Sequence, residues 1–176
     1  MNRTLKTVLI AATILLIMGG CIKWKYEEMT IVRQPYNGNQ LRLDGYYYYS
    51  QEEKVWNTYF FYRNGTLHYG IGNSPDMSID MYDSWFASDD YKESIKTDRR
   101  RWGLFEIQDD SIVFERWGIQ EFEDPVIRYS GHIINDTTFI ISRVEYPHTG
   151  GVYEKNELYR FHAFSPKPDS TNTFSP

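Results

Sequence analysis

The sequence predicts an all-β protein that folds as an eight-stranded, antiparallel, up-and-down barrel. Aromatic residues occupy 17% of the 176 positions, a composition that suits pleated, half-buried strands. Eight short segments rich in aromatic and β-branched residues are separated by turn residues, and six of them form three local hairpins. Closing such a meander into a barrel hides both of its edge strands.

The strands follow one another through short turns. Asn64-Gly65 favours a type I′ hairpin, because both residues tolerate a positive φ. Asp109-Asp110 and Asn135-Asp136 mark the other two hairpin turns. The predicted strands are Leu41–Tyr49, Asn57–Arg63, Thr66–Gly72, Trp102–Gln108, Ser111–Gly118, Val126–Ile134, Thr137–Tyr146 and Leu158–Phe164.

The only long connection between predicted strands runs over residues 73–101. Its centre, residues 83–96, is predicted to form a short helix with Asp83 or Ser84 as its N-cap. A connection of this length is usually functional or flexible.

Alternation along the first strand divides its four consecutive tyrosines between two faces. Tyr47 and Tyr49 share the face of Leu41 and are expected inside the barrel, whereas Tyr46 and Tyr48 follow polar residues outward. An interior this rich in Tyr and Phe is either a packed core or a partly polar, ligand-sized cavity. Both interpretations stay open on sequence alone.

The N-terminus resembles a lipoprotein signal sequence. A short basic start precedes an apolar run over residues 8–18, which is too short to cross about 30 Å of hydrocarbon comfortably as a helix. Two glycines then precede Cys21, and small residues before a cysteine at this place resemble the bacterial lipobox, in which the cysteine is lipidated. Cys21 is the only cysteine of the chain and has no intramolecular disulfide partner. An ordinary secretory signal or membrane anchor is the alternative.

Four regions follow from these observations: a signal peptide over residues 1–20, a lipidated Cys21 with a tether to residue 40, the barrel over residues 41–164, and a disordered tail over residues 165–176. Several acyl chains hold a protein firmly on a membrane. We therefore expect a lipid-anchored protein of the bacterial cell envelope. Ile22 follows the lipidated cysteine, where an aspartate would favour inner-membrane retention, so the outer membrane is favoured.

Three stretches resemble the small lipocalin-like lipoproteins of bacteria: the hairpin WGLFEIQDDSIVFE, the opening LDGYYY and the hairpin FFYRNGTLHY. The resemblance covers most of residues 41–164 and implies a calycin-like barrel. It implies no functional residue, because the shared motifs are structural.

Sequence motifs give no support to catalysis or cofactor binding. Neither a nucleophile elbow nor a phosphate-binding loop is present, and no cofactor is expected. A net charge of −5 argues against nucleic-acid binding. No metal is expected, because the histidines lack the spacing of a metal site and are expected at the surface; they are His68, His132, His148 and His162.

Two functions are favoured over a third, an enzyme whose catalytic cluster the sequence does not reveal. In the first, the barrel is not an enzyme and binds a small amphipathic molecule, with its candidate site at Tyr47, Tyr49, Trp85, Trp117 and Tyr129. In the second, a solid barrel binds or inhibits another envelope protein through an outward aromatic surface formed by Tyr46, Tyr48 and Tyr69. An interior cavity would favour the first function and an exposed aromatic patch the second.

Overall fold

The protein is described from a computed structural model over residues 25–52, 54–70, 77–118 and 123–174. Eight antiparallel strands form a closed up-and-down barrel, as the sequence predicts. In chain order the strands are β1 (Lys25–Tyr26), β2 (Gly45–Gln51), β3 (Lys54–Phe61), β4 (Thr66–Gly70), β5 (Trp102–Gln108), β6 (Ser111–Trp117), β7 (Glu123–Asp124), β8 (Val126–Asn135), β9 (Thr138–Tyr146) and β10 (Gly151–Ala163). The barrel order is β10-β2-β3-β4-β5-β6-β8-β9, while β1 and β7 form a separate parallel pair.

All three predicted hairpins are present, although the turn between β3 and β4 differs from the prediction. Gly65 has φ 81°, but Asn64 does not have the positive φ that a type I′ turn requires. The Asn64 side chain instead accepts hydrogen bonds from the Thr66 N–H and hydroxyl. This local bonding favours a different turn with the same strand pairing.

One end of the barrel, which we call the closed end, contains the β3–β4, β5–β6 and β8–β9 turns. The chain before β2 crosses this end, where the Tyr36 N–H donates to the Arg63 carbonyl and the Arg42 N–H to that of Asp136. Tyr36 and Leu41 are buried in the same cluster as the barrel interior. The segment expected to be a tether is therefore packed against the barrel over much of its length.

A buried carboxylate holds the earlier part of this segment. Glu115, on the outer face of β6, is fully buried and accepts hydrogen bonds from the backbone N–H of Thr30 at 2.6 Å and of Ile31 at 3.0 Å. Arg128 of the neighbouring strand forms an ion pair with the same carboxylate at 2.8 Å. Charge-assisted hydrogen bonds of this kind are stronger than neutral ones.

The long connection contains two helices where the sequence predicts one. The helices are α1 (Ile79–Ala87) and α2 (Asp89–Thr97), and Ser88 both ends α1 and caps α2 through its side chain. They cover the outer face of β2, β3 and β4 and create a second hydrophobic cluster. We call it the outer cluster; its buried members are Tyr46, Val55, Phe60, Tyr62, Tyr82, Phe86, Tyr91, Ile95, Trp102 and Phe164.

The C-terminal segment, which the sequence predicts to be a disordered tail, packs against the barrel as far as Phe174. The Lys167 ammonium donates to the carbonyls of Leu43 at 2.6 Å and Phe61 at 2.8 Å. The Tyr62 hydroxyl donates to the Pro168 carbonyl at 3.0 Å. These bonds satisfy groups that would otherwise be buried without partners.

Residues 1–24, including Cys21 and the predicted signal peptide, lie outside the described residues. Within the described ranges, neither helix is long and apolar enough to cross a membrane.

Candidate functional site

Aromatic rings fill most of the barrel interior. Tyr59 lies at the centre of this packing, with ring centroids of Phe114 at 4.8 Å and Tyr159 at 5.6 Å from its own. Phe139 stacks on Tyr159 at 4.8 Å, closer to the closed end. The barrel is therefore solid over this part of its length.

The opposite end of the barrel, which we call the mouth, contains a pocket of about 300 Å³. The β2–β3 and β9–β10 turns and the connection between β6 and β8 lie at this end. The lining combines apolar and polar side chains, namely Asn57, Ile127, Tyr129, Val144, Tyr146, Tyr153, Lys155 and Glu157. The mixture is that of a site for a small molecule with one apolar and one polar part.

Arg116 lies beside this pocket and points into the barrel. It is opposite Ile127 in the pairing of β6 with β8, on the same face as Phe114 and Tyr129. Its Nη2 donates to the Tyr129 hydroxyl at 2.9 Å, and its guanidinium lies over the Tyr69 ring, 4.0 Å from the centroid. The Tyr69 hydroxyl in turn donates to the Asn57 side chain at 3.1 Å. Arg116 thus contacts the pocket through Tyr129 and, by way of Tyr69, Asn57.

The guanidinium of Arg116 is only partly satisfied. A guanidinium has five N–H groups. Among the described residues, those of Arg116 donate to the Trp117 carbonyl, at 3.1 Å, and to the Tyr129 hydroxyl. Its Nε is buried without a hydrogen-bond partner, as is the hydroxyl oxygen of Tyr59. The Tyr59 hydroxyl lies close to the Arg116 guanidinium and to the Tyr129 hydroxyl, so the three side chains form one polar cluster whose hydrogen bonds are incomplete. A further polar group could complete these hydrogen bonds.

No negative charge balances Arg116 within the part of the chain that the structure describes. Burial raises the pKa of Tyr129 and holds the pKa of Tyr59 well above its usual value, so both phenols are neutral at physiological pH. Glu157 lines the pocket, but it pairs with Lys155 at 3.3 Å and accepts from the Tyr159 hydroxyl at 3.1 Å. The positive charge of Arg116 at the inner side of the mouth is therefore not balanced by a described carboxylate.

An arginine in this setting is suited to bind a carboxylate or a phosphate. Its planar fork of N–H groups matches two oxygens of such an anion. The attraction is strong because the surrounding rings exclude water and lower the local dielectric. The apolar wall formed by Ile127 and Val144 would contact the remainder of the same molecule.

The five predicted ligand-binding residues do not form one site. Tyr129 lines the mouth pocket, and Tyr49 points inward and packs on Tyr159. Tyr47 also points inward, but its hydroxyl donates to the Asp136 carbonyl at the closed end. Trp85 and Trp117 lie outside the barrel wall, because Trp85 packs against the outer cluster and the Trp117 Nε1 donates to the Glu27 carbonyl at 2.8 Å.

The predicted interaction surface is not an exposed patch. Tyr46 is fully buried beneath α1, where its hydroxyl donates to Asp83 at 2.9 Å. Tyr48 is half-buried against the same outer cluster. Tyr69 points into the barrel and contacts Arg116, which is the opposite face from the predicted one. The helices of the long connection cover Tyr46 and part of Tyr48, which the sequence predicts to be exposed.

The four histidines lie in different environments, and the prediction that they lie at the surface is wrong for His68. His132 and His148 are exposed, but His68 is fully buried beneath α2 and lies 2.5 Å from the Tyr91 hydroxyl through its Nε2. His162 pairs with Asp83 at 2.9 Å on the outer face. Within the described ranges, no three His, Cys, Asp or Glu side chains are placed to hold a metal ion.

Arg116 is the residue that sequence reasoning missed. Alternation along β6 puts Ile112 and Phe114 inside, and continuing it by two positions reaches Arg116. Alternation therefore predicts an inward side chain at position 116, but a charged residue at such a position is normally interpreted as marking the end of the strand. Comparison of the chain with the models of known protein families, with curated proteins and with solved structures gave no match.

Proposed function

We propose that the protein is a cell-envelope lipoprotein, held by acyl chains on Cys21, whose barrel binds a small amphipathic acid at its mouth without catalysing a reaction. The observation that carries the proposal is the uncompensated Arg116 beside an amphipathic pocket of about 300 Å³. An anion of the ligand would supply the missing negative charge.

The size of the pocket limits the ligand. A volume of about 300 Å³ is at the small end of ligand pockets. The filled interior beyond Tyr59 leaves no room for a long chain to enter the barrel. The proposal is therefore an acid with a short apolar part, lying between Ile127, Val144 and Tyr153 with its anionic group towards Arg116.

The envelope location rests on the N-terminal sequence. The apolar run over residues 8–18 and the small residues before Cys21 support lipidation. The outer membrane is proposed because Ile22, rather than aspartate, follows Cys21.

The first prediction concerns ligand charge. The mature chain from residue 21, with Cys21→Ser to keep it free of lipid, is titrated with octanoate and with octanol by isothermal calorimetry. We expect octanoate to bind more tightly, because only the acid can pair with Arg116. Hydrogen bonds to a charged group contribute about 1.5–3 kcal/mol, roughly a tenfold to hundredfold preference.

The variant Arg116→Met should remove this preference while leaving the weaker binding of octanol. Arg143→Met is the matched control, since Arg143 is an exposed arginine paired with Glu145 on the outside of the barrel. Equal affinity of the wild-type protein for octanoate and octanol, or loss of the preference in Arg143→Met, would contradict the proposal.

A further inference from the structure

We infer that the mouth of the barrel faces the membrane and that Trp56, Val152 and Tyr153 at its rim enter the phospholipid headgroup region, so that the pocket exchanges its ligand with the bilayer. This inference rests on the lipid anchor of the proposed function. It adds an interaction surface and a partner, a phospholipid bilayer.

The first step is the place where the N-terminal chain reaches the barrel. Strand β1 pairs with β7, which lies between the mouth ends of β6 and β8. Glu27 follows β1 and is held at the same end, because its carbonyl accepts from Trp117 Nε1 at 2.8 Å and its carboxylate from the Val126 N–H at 2.7 Å. The Glu28 carbonyl lies 3.1 Å from His148 Nε2 in the β9–β10 turn. The described chain therefore begins at the mouth.

The second step is the length of chain between this point and the anchor. Four Cα-to-Cα steps separate Cys21 from Lys25, and a fully extended chain covers at most about 3.6 Å per residue, or roughly 14 Å in total. Acyl chains on Cys21 lie in the hydrocarbon of the bilayer. The mouth is thus held close to the anchor, whereas the closed end is a barrel length farther from it.

The third step is the rim itself. Large apolar side chains are exposed there, with Trp56 at 37%, Val152 at 47% and Tyr153 at 57% of their surface. Trp56 follows the β2–β3 turn, while Val152 and Tyr153 follow the β9–β10 turn. Tryptophan and tyrosine are enriched at membrane interfaces, since they combine an apolar ring with a polar group.

The β9–β10 hairpin extends the rim outward. Strand β10 pairs with β9 from Gly151, but with β2 only from Tyr159. The first part of β10 therefore projects beyond β2, with Tyr153 opposite Val144 on the inner face and Val152 opposite Glu145 on the outer face. Tyr153 also lines the mouth pocket, so the surface that would enter the headgroups is continuous with the ligand site.

The charges of the protein do not favour binding to an anionic membrane, so this contact depends on the burial of apolar side chains. The rim carries both signs, with Lys54 and Lys155 beside Glu52 and Glu154, and the whole chain has a net charge of −5. An anionic membrane would not attract such a protein. A zwitterionic phosphatidylcholine bilayer is accordingly the appropriate probe.

Site-specific fluorescence tests the inference. Two variants of the full chain are produced, Tyr153→Cys and Ile134→Cys, and each is extracted with its anchor from the membranes of the producing cells. The added cysteine is labelled with nitrobenzoxadiazole, and the protein is reconstituted into phosphatidylcholine vesicles. Ile134 is the matched control, because it is 52% exposed at the end of β8 that belongs to the closed end. Quenching is measured with nitroxide carried on the acyl chains of the lipid.

We expect quenching of the label at position 153 to be several-fold stronger than at position 134. Equal quenching, or stronger quenching at position 134, would overturn the inference while leaving the octanoate titration unaffected. A chain without added cysteine that takes up the label would show a free Cys21 thiol, which would overturn both the anchor and the orientation. Failure of ligand binding alone leaves the label pattern unchanged, so the two failures are distinguishable.

Discussion

At the scale of single residues, burial on the outer face of the barrel lowers the pKa of His68. The imidazole is fully buried beneath α2 and next to Tyr91. Burial lowers the pKa of His68 to about 3, and the positive charge of nearby Arg101 acts in the same direction. His68 is therefore neutral in the folded protein at physiological pH.

The second prediction follows from the sign of this shift. The unfolded chain binds a proton at His68 below about pH 6.5, whereas the folded protein does so only near pH 3. The contribution of neutral His68 to stability is complete above pH 6.5 and is lost as the pH falls towards 3. Over that range the unfolding free energy should decrease by up to about 1.4 kcal/mol per pH unit from this residue alone.

Urea unfolding of the wild-type protein and of His68→Gln at several pH values isolates this effect. The comparison is between the slopes of unfolding free energy against pH, which do not depend on a difference in absolute stability at neutral pH. We expect the wild type to lose stability more steeply on acidification. Identical slopes would show that His68 is not buried as a neutral group.

The side-chain faces show how far sequence reasoning reaches at this scale. Alternation correctly puts Tyr47 and Tyr49 inside, because strand residues point to opposite faces with a period of two. The same rule applied from Leu67 would have put Tyr69 inside as well. The burial of Tyr46 and His68 could not be read from alternation, since it depends on helices that are distant along the chain.

At the scale of elements, the N-terminal segment is fixed by one carboxylate. Glu115 accepts from Thr30 and Ile31 and pairs with Arg128. The third prediction is that Glu115→Gln lowers the unfolding free energy by on the order of 3 kcal/mol, because a buried ion pair loses one partner. Amide hydrogen exchange at Thr30 and Ile31 should become faster in the same variant.

Glu93→Gln provides the control for this substitution. Glu93 pairs with Lys96 at 2.7 Å on the exposed face of α2, with side chains 72% and 60% exposed. Exposed pairs of this kind contribute about 0.2–1 kcal/mol at most. If both variants unfold at the same urea concentration, Glu115 does not hold the segment.

The elements that the sequence predicts well are those with local signals. Hairpin turns and alternation gave the strands of the barrel within a few residues, except that the last strand begins seven residues earlier, at Gly151 instead of Leu158. The sequence predicts a tether and a tail for the two terminal segments, because their contacts with the barrel are not local in sequence. Thr30 is 85 residues from Glu115, and Tyr62 is 106 residues from Pro168.

At the scale of the whole molecule, one sheet separates two aromatic clusters. The inner cluster fills the barrel, and the outer cluster lies under α1 and α2. Stability is concentrated in these clusters, whereas the mouth carries the uncompensated Arg116 and an open pocket. Functional sites are commonly less stable than the scaffold that holds them.

This arrangement predicts opposite effects of one substitution on stability and on ligand response. Arg116 stacks on Tyr69, but the loss of hydration of a buried, unpaired charge outweighs that contact. Methionine has a similar length and packs well against aromatic rings. Without ligand, Arg116→Met should therefore be at least as stable as the wild type, and up to a few kcal/mol more stable.

The most direct test is urea unfolding of the wild type and of Arg116→Met, each with and without octanoate at a hundred times its Kd for the wild type. We predict that octanoate stabilises the wild type by about 2.7 kcal/mol and the variant much less, while the variant is the more stable protein in the absence of octanoate. A variant that is less stable without octanoate and responds to it as strongly as the wild type would contradict the assignment of Arg116 as the acid-binding group.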